Sequence, residues 1–240
     1  MRKAFFLLII ICLACNRSSS LGIISSKAQV SSLKNAIDEV SPEQRDAMEW
    51  LITHMPEADL KNLSIEYLTQ NSEYAFKAKN KFSWAKTLPD EIFLNYVLPY
   101  SSLNERRDKW RQDFFYKFSP IVKNANSAYE AAAILNNEIF EILGVEYSTK
   151  RPKADQSPYE SIDAGLASCT GLSFLLIDAC RSVGIPARFV GTPMWYNDSG
   201  NHSWVEIWDG KWHFTGAAEP VEGKLNEVWF SDLASKAKKG

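Results

Sequence analysis

Cys169 is the residue whose type and position are best suited to covalent chemistry. It directly precedes residues 170–183, in which apolar side chains recur at helical spacing, so the sequence predicts a buried helix with Cys169 at its N-terminus. The positive end of a helix dipole and nearby free N–H groups favour a thiolate over a thiol. Cys169 is therefore a candidate nucleophile, although a cysteine beside an apolar helix is more often a small core residue.

A histidine partner is the second requirement, because the thiolate must be held as an ion pair and the leaving group must be protonated. The chain has three histidines, and His202 is the best placed. It begins a predicted strand after a polar loop, on the strand face of Trp204 and Glu206, where an indole could shield the pair from water. We interpret His54 as a helix-end cap or surface residue and His213 as a polar strand residue beside Glu206.

A second thiol and a metal site are weaker candidates. Cys180 lies on the same predicted helix, about 16 Å from Cys169 at 1.5 Å per residue, which is too far for a disulfide, so we interpret it as a core residue. A zinc site formed by Cys169, His202 and His213 is conceivable, but no paired-Cys or HExxH spacing supports it. The sequence predicts no metal and no organic cofactor.

Local start and stop signals predict the helices. Ser41 is followed by a proline and a glutamine that favour a helix over 42–54, and Ser127 opens a capping box for a helix over 128–143, which Gly144 would end. Aromatic residues before residue 118 fall at helical spacings, which is typical of core packing rather than of a ligand groove.

The strands are predicted to follow the Cys169 helix. Gly184 and Pro186 end that helix, and residues 187–191 have the pattern of a short strand. Residues 202–215 are typical of a β-hairpin, because Asp209-Gly210 is a strong turn signal between two strand-like runs.

The composition limits the class of protein. The 240 residues are 45% hydrophobic and 12% aromatic, which is typical of one globular domain, or a domain with a helical extension. Lys plus Arg is 27 and Asp plus Glu is 29, so the net charge is −2 and the chain has no overall basic field for nucleic acid. Nucleic acid is therefore not an expected partner.

The N-terminus has the features of an export signal. Arg2 and Lys3 precede an apolar run that is too short to span a bilayer, and this run ends before Cys15 and a polar stretch. The pattern resembles a bacterial lipoprotein signal, with Cys15 as the lipidated residue, although such signals usually carry leucine where this chain has Cys12. We expect a signal peptide over 1–14, a tether over 15–32, and a lipid anchor in the bacterial cell envelope, facing the periplasm; simple secretion or a retained anchor remain alternatives.

Several short motifs together resemble one family of enzymes. The segment of about 126–220 is similar to the transglutaminase-like superfamily of papain-fold cysteine enzymes in the order, spacing and helix–strand context of its motifs. The resemblance implies an α+β fold in which a nucleophile helix packs on an antiparallel sheet, with a helical N-terminal region over 33–125 and a C-terminal tail over 221–240, whose end we expect to be frayed. It also implies that Cys169 is the nucleophile and His202 its base. The matching motifs are Ala167-Ser168-Cys169-Thr170-Gly171, Arg181 to Arg188, His202-Ser203-Trp204-Val205-Glu206 and Gly210-Lys211-Trp212.

The third member of the expected site departs from the family pattern. The family places an aspartate about four residues after the tryptophan of the second hairpin strand, and here that position is Gly216. A two-residue turn would place Ala217 opposite His202 and Glu219 diagonally on the same face, whereas a three-residue loop with a bulge would place Gly216 opposite His202. The first register makes Glu219 the residue that orients the imidazole, and the second leaves a Cys–His dyad.

The expected activity is attack by the Cys169 thiolate on a carboxamide, followed by transfer of the thioester to water or to an amine. The resemblance therefore implies an exported cysteine peptidase, amidase or transglutaminase-type enzyme that acts on peptides, proteins or cell-wall material. Because the aspartate is missing, a catalytically silent domain that serves in binding or assembly is the alternative.

Overall fold

The computed structural model describes residues 35–221 and 223–236. The predicted signal peptide, Cys15 and the predicted tether lie outside the described residues. Within the described ranges, none of the helices has the length and apolar character needed to cross a membrane.

The described chain combines helices with two small sheets, which confirms the predicted α+β class. A 3₁₀ turn (Pro42–Gln44) leads directly into the first labelled helix. The helices are α1 (Arg45–His54), α2 (Glu57–Asn62), α3 (Ile65–Lys81), α4 (Ser83–Lys86), α5 (Asp90–Tyr96), α6 (Trp110–Phe118), α7 (Ala128–Leu143), α8 (Pro158–Ala164), α9 (Cys169–Ser182) and α10 (Ser231–Ser235).

The strands form one parallel pair and one antiparallel sheet. Strands β1 (Glu146–Tyr147) and β2 (Leu166–Ala167) are parallel, and β2 leads through one residue into α9. The antiparallel sheet has the order β3-β4-β5, with β3 (Ala187–Thr192), β4 (His202–Trp208) and β5 (Trp212–Thr215). Helix α9 packs on β3 and β4, so the nucleophile helix lies on an antiparallel sheet as the resemblance implies.

The main core surrounds α9. Helix α6 supplies Trp110, Phe114 and Phe118 to this core, so the aromatic residues of the N-terminal region are packing residues there, as expected. A second buried cluster lies under α1, α3 and α5. Helices that precede residue 126 therefore pack directly on the helix that carries Cys169.

A buried arginine fixes the C-terminal end of α9. Arg181 donates hydrogen bonds to the carbonyl oxygens of Ala187 on β3 (3.0 Å) and Ser101 (2.9 Å). Arg111 of α6 in turn donates to the carbonyl oxygen of Arg181 (3.2 Å). These bonds occupy carbonyl groups that would otherwise be buried without partners, and they hold α9 in a fixed relation to the sheet.

The predicted helix signals are met to different degrees. Ser127 Oγ accepts a hydrogen bond from Glu130 N (3.1 Å), and Gly144 ends α7 in the left-handed conformation at φ +65°, as predicted. The return half of that capping box is absent, because the Glu130 carboxylate accepts from Asn126 N instead of Ser127 N. Ser41 is at the N-cap position before Pro42, as predicted, but its side chain makes no capping bond.

Both predicted hairpin registers are wrong. Trp208 pairs with Trp212, which leaves a three-residue connection, and β5 ends at Thr215. The strand therefore stops before it reaches His202, and neither Ala217 nor Gly216 is paired with that residue. His213 also differs from expectation, because it is buried opposite Ile207 and not beside Glu206. The turn signal was correct in place, but the connection is one residue longer than a two-residue turn.

Candidate active site

Cys169 is the first residue of α9, as the sequence predicts. Ser168 caps the helix, and its Oγ accepts hydrogen bonds from the N–H groups of Thr170 and Gly171, each at 3.1 Å. The cap does not use the Cys169 N–H, so this group stays available beside the thiol. The Cys169 side chain is partly exposed and lies at the positive end of a 14-residue helix, where a thiolate is favoured.

His202 and Ser203 supply the contacts that ionise Cys169. Burial of the thiol opposes ionisation, but the His202 side chain and the Ser203 main-chain N–H outweigh it and lower the pKa of Cys169 below its ordinary value. The Ser203 hydroxyl lies 3.1 Å from the Thr170 hydroxyl, so it links the start of β4 to the first turn of α9. The structure thus brings together the two residues that the sequence predicted as nucleophile and base.

The His202 imidazole is buried at the first position of β4. Burial disfavours the charged ring, but the contacts with Cys169 and Glu219 outweigh it and raise the pKa of His202 to about 9. The His202 Nε2 and Glu219 Oε2 atoms are 3.7 Å apart, which is within ion-pair range but longer than a direct hydrogen bond. Among the described residues, His202 Nε2 has no hydrogen-bond partner.

Glu219 reaches His202 through a turn rather than through strand pairing. Its N–H donates to the Gly216 carbonyl oxygen (3.2 Å), and Ala218 within the turn has a positive φ of 62°. Asn136 of α7 holds this turn from beneath: its Nδ2 donates to Gly216 O (2.9 Å) and its Oδ1 accepts from Ala218 N (3.0 Å). One of the two predicted registers placed Glu219 on the face of His202, and the structure brings the two side chains together by a different path.

Gly216 provides the space that the Glu219 carboxylate occupies. A Cβ atom at Gly216 would lie 2.1 Å from Glu219 Oε2, far inside any permitted contact. The volume beside residue 216 therefore holds a carboxylate that comes from three residues further along the chain. A side chain at residue 216 and the present position of Glu219 exclude each other.

Aromatic rings surround the His202 imidazole. Phe230 lies at 4.7 Å between ring centroids, Trp229 at 5.1 Å, Trp195 at 6.1 Å and Trp204 at 6.5 Å. Rings at these distances exclude water and lower the local dielectric constant, which strengthens the attraction between the imidazolium and its negative neighbours. The expected shielding by Trp204 is therefore shared by four rings.

The other sequence candidates lie away from this cluster or are chemically inert. Cys180 is fully buried in α9, and burial raises the pKa of its thiol well above the ordinary value. His54 is exposed at the end of α1. Burial and nearby Lys211 lower the pKa of His213, whose Nδ1 lies 2.9 Å from Asn226 Nδ2. Glu206 forms an ion pair with Arg188, with Nε–Oε2 at 2.7 Å, rather than a contact with His202.

Two other kinds of site considered from the sequence are a metal site and a lipidation site. Within the described ranges, the structure contains no group of three or more His, Cys, Asp or Glu side chains that could hold a metal ion. Cys15, the predicted lipidation site, lies outside the described residues.

Sequence reasoning missed several residues of the site. Trp229 and Phe230 lie in the tail, for which the sequence predicted no role, and Trp195 directly precedes the polar loop, outside any predicted element. Ser203 was seen only as part of a motif. A run of aromatic residues in a short tail was the one available signal for Trp229 and Phe230.

Comparison with known proteins agrees with the fold and the nucleophile region. The family model described as the transglutaminase-like superfamily matches residues 118–216, which is less than half of the chain. The matched range includes Cys169 and His202 and ends before Glu219. No curated protein gave a significant match.

The search of solved structures also returned a match to part of the chain. The crystal structure of a "Putative Cysteine Protease" from Cytophaga hutchinsonii is 20% identical to this chain, with a TM-score of 0.43. The match covers 58% of this chain and 46% of that protein, so it spans less than half of the latter's length. The family-model match and the contact between Cys169 and His202 support a thiol enzyme of the transglutaminase-like kind at a coarse level.

Proposed function

We propose that this protein is an exported thiol-dependent enzyme that cleaves or transfers amide bonds through an acyl thioester on Cys169. The observation that carries the proposal is the pairing of Cys169, at the start of a buried helix, with the enclosed imidazole of His202. The contacts that lower the pKa of Cys169 and raise the pKa of His202 to about 9 favour a thiolate–imidazolium pair. Such a pair has both the nucleophile and the proton that amide cleavage requires.

The first half of the reaction forms the thioester. The Cys169 sulfur attacks the carbonyl carbon of the amide, a C–S bond forms, and the carbonyl electron pair moves to the oxygen. The uncapped Cys169 N–H, at the positive end of α9, is a donor for this oxyanion. His202 gives its proton to the amide nitrogen as the C–N bond breaks, and the amine leaves.

The second half of the reaction releases the acyl group. Water or a second amine attacks the thioester carbon, its proton passes to His202, and the C–S bond breaks to restore the thiolate–imidazolium pair. Glu219 does not touch the reacting atoms. We assign it the role of a positioning residue that favours the charged imidazole and sets its orientation.

The substrate class and the location are further parts of this proposal. We propose peptides, proteins or cell-wall amides as substrates, and a lipid anchor on Cys15 that tethers the enzyme to the bacterial envelope, facing the periplasm. Metabolic labelling with a fatty acid tests the anchor: Cys15→Ser should lose the label, whereas Cys12→Ser should keep it. Label that persists in Cys15→Ser would exclude this anchor.

The enzymatic proposal is tested by reaction of the full-length protein with iodoacetamide and with amide substrates. Cys169 should alkylate at about pH 6, well below the range of an ordinary thiol, and His202→Ala should abolish this reactivity. Amine release from peptide mixtures and cell-wall fragments should disappear in Cys169→Ala and persist in Cys180→Ala, which is the matched cysteine control. Incorporation of a fluorescent primary amine distinguishes acyl transfer from hydrolysis.

The absence of an aspartate at Gly216 supports a second candidate, a catalytically silent domain that binds a partner. In that case Cys169 would alkylate only as an ordinary thiol, and His202→Ala would change nothing. This result would contradict the enzymatic proposal and direct attention to binding assays.

A further inference from the structure

The chain returns to the site after the β-hairpin. Residues 223–236, which we call the C-terminal segment, are anchored against β5 and α7. Asn226 N donates to Phe214 O (2.8 Å), and Asn226 Oδ1 accepts from Phe214 N (3.1 Å), so the segment continues the hydrogen bonding of the sheet edge. Leu225 is 3% exposed, and its N–H donates to the hydroxyl of Tyr129 (2.8 Å). The segment is thus fixed before it reaches the imidazole.

Phe230 is the second anchor of the C-terminal segment. It is 1% exposed, and its ring contacts His202 (4.7 Å) and Trp204 (5.2 Å) between centroids. Its neighbour Trp229 is 61% exposed, so this indole gains little from burial.

The indole N–H of Trp229 makes a specific polar contact. Trp229 Nε1 donates a hydrogen bond of 3.0 Å to Glu219 Oε2, the same oxygen that lies 3.7 Å from His202 Nε2. The Trp229 and His202 ring centroids are 5.1 Å apart, so the indole covers the imidazole while its N–H holds the carboxylate. One side chain therefore contacts both members of the His202–Glu219 pair.

We propose that Trp229 is a positioning residue of the active site, whose indole N–H holds the Glu219 carboxylate against His202. The inference rests on the proposed function, and it makes the C-terminal segment part of the catalytic machinery. Trp229 acts through Glu219, the residue to which its N–H donates.

The need for such a donor follows from the length and exposure of Glu219. Its side chain is 35% exposed and has three rotatable bonds, whereas Asn136 and the turn fix only the main chain around it. An unheld carboxylate in this place would rotate into water, where it is better solvated. A hydrogen bond from Trp229 offsets that tendency, because a bond to a charged acceptor is stronger than a neutral one.

The positioning role and a simple withdrawal of charge predict opposite changes in the pKa of Cys169 when the Trp229 N–H is removed. If Trp229 positions Glu219, loss of the N–H lets the carboxylate move away, the pKa of His202 falls, and Cys169 becomes harder to ionise. If the N–H only withdraws charge from a carboxylate that stays in place, its loss strengthens the pull on the imidazolium, and Cys169 becomes easier to ionise.

The experiment is the pH dependence of iodoacetamide alkylation of Cys169 in the full-length protein, read by peptide mass. Trp229→Phe keeps an aromatic ring and removes the N–H. We expect it to raise the pH midpoint of Cys169 alkylation by about half a unit, the effect of losing one solvent-screened bond to a charged group. Trp50→Phe, the same substitution on α1 in the N-terminal region, is the matched control and should leave the midpoint unchanged.

A double-mutant cycle with Glu219→Gln identifies the route of the effect. If Trp229 acts through Glu219, Trp229→Phe should produce no further shift in the Glu219→Gln background. A shift that persists there, an unchanged midpoint in Trp229→Phe, or a midpoint that moves down would each overturn the inference. If the wild type shows no alkylation below the ordinary thiol range, the proposed function itself fails, so the two failures are distinguishable.

Discussion

Replacing Gly216 by alanine places a methyl group where the Glu219 carboxylate now lies. The added Cβ would be 2.1 Å from Glu219 Oε2 and 3.0 Å from both Cβ and Cδ of that residue. The conflict is therefore with the Glu219 side chain, whose carboxylate is the part that can move. We expect the Gly216→Ala protein to fold with the carboxylate displaced from His202.

The size of the effect follows from the distances. An ordinary contact needs about 3.4 Å, so Glu219 Oε2 must move by at least about 1.3 Å. A displacement of this size away from His202 lengthens the present 3.7 Å separation to about 5 Å, which weakens the attraction by roughly 1 kcal/mol at an effective dielectric constant of about 20. Since the Glu219 side chain is 35% exposed, solvent screening reduces the expected fall in the pKa of His202 to about half a unit.

The assay is an NMR titration of the His202 imidazole, whose pKa is raised to about 9 in the wild type by contact with Cys169 and Glu219. We expect Gly216→Ala to lower the His202 midpoint. An unchanged His202 midpoint would refute the reasoning.

A reciprocal exchange of side chains distinguishes the effect of the carboxylate on the His202 pKa from the effect of altered packing. Gly216→Ala combined with Glu219→Gly removes the steric conflict, but we expect the His202 pKa to stay low because the carboxylate is gone. Gly216→Asp combined with Glu219→Gly returns a carboxylate to the same space, now from residue 216 itself, and should raise the His202 pKa again. If Gly216→Ala and the two double variants have the same His202 midpoint, a carboxylate in the space beside residue 216 does not affect the pKa of His202.

Two further predictions concern the pH limit of the reaction and the support beneath the turn. Amide cleavage, measured as kcat/KM, should decline as the pH rises through about 9, because His202 there loses the proton that it gives to the leaving amine; a rate that stays constant to about pH 10 would contradict this role. Asn136→Leu should lower the free energy of unfolding by about 2–4 kcal/mol in denaturant titrations, because Asn136 is 2% exposed and its loss leaves Gly216 O and Ala218 N without that partner. Asn95→Leu, at an exposed asparagine on α5, is the control, and an equal loss in both variants would show that the buried bonds contribute nothing specific.

Local signals in the sequence were sufficient for the elements that carry Cys169 and His202. The apolar spacing after Cys169 predicted α9, Gly184 and Pro186 predicted its end, and the Asp209-Gly210 signal predicted the hairpin. These signals work because helix caps and turns depend on residues only a few positions apart. Even α8, which was not predicted, carries such a signal, since Ser157 and Glu160 form a complete capping box.

The tertiary structure alone decided how the imidazole is supported. The hairpin register depends on the conformation of its connection, and a change of one residue moves every partner, so the sequence left two registers open and neither occurs. Glu219 reaches His202 because Asn136, on a distant helix, holds the turn, and Trp229 reaches Glu219 because Phe230 is buried. These contacts join segments far apart in the chain, and their geometry is set by the packing of the whole core rather than by any local pattern.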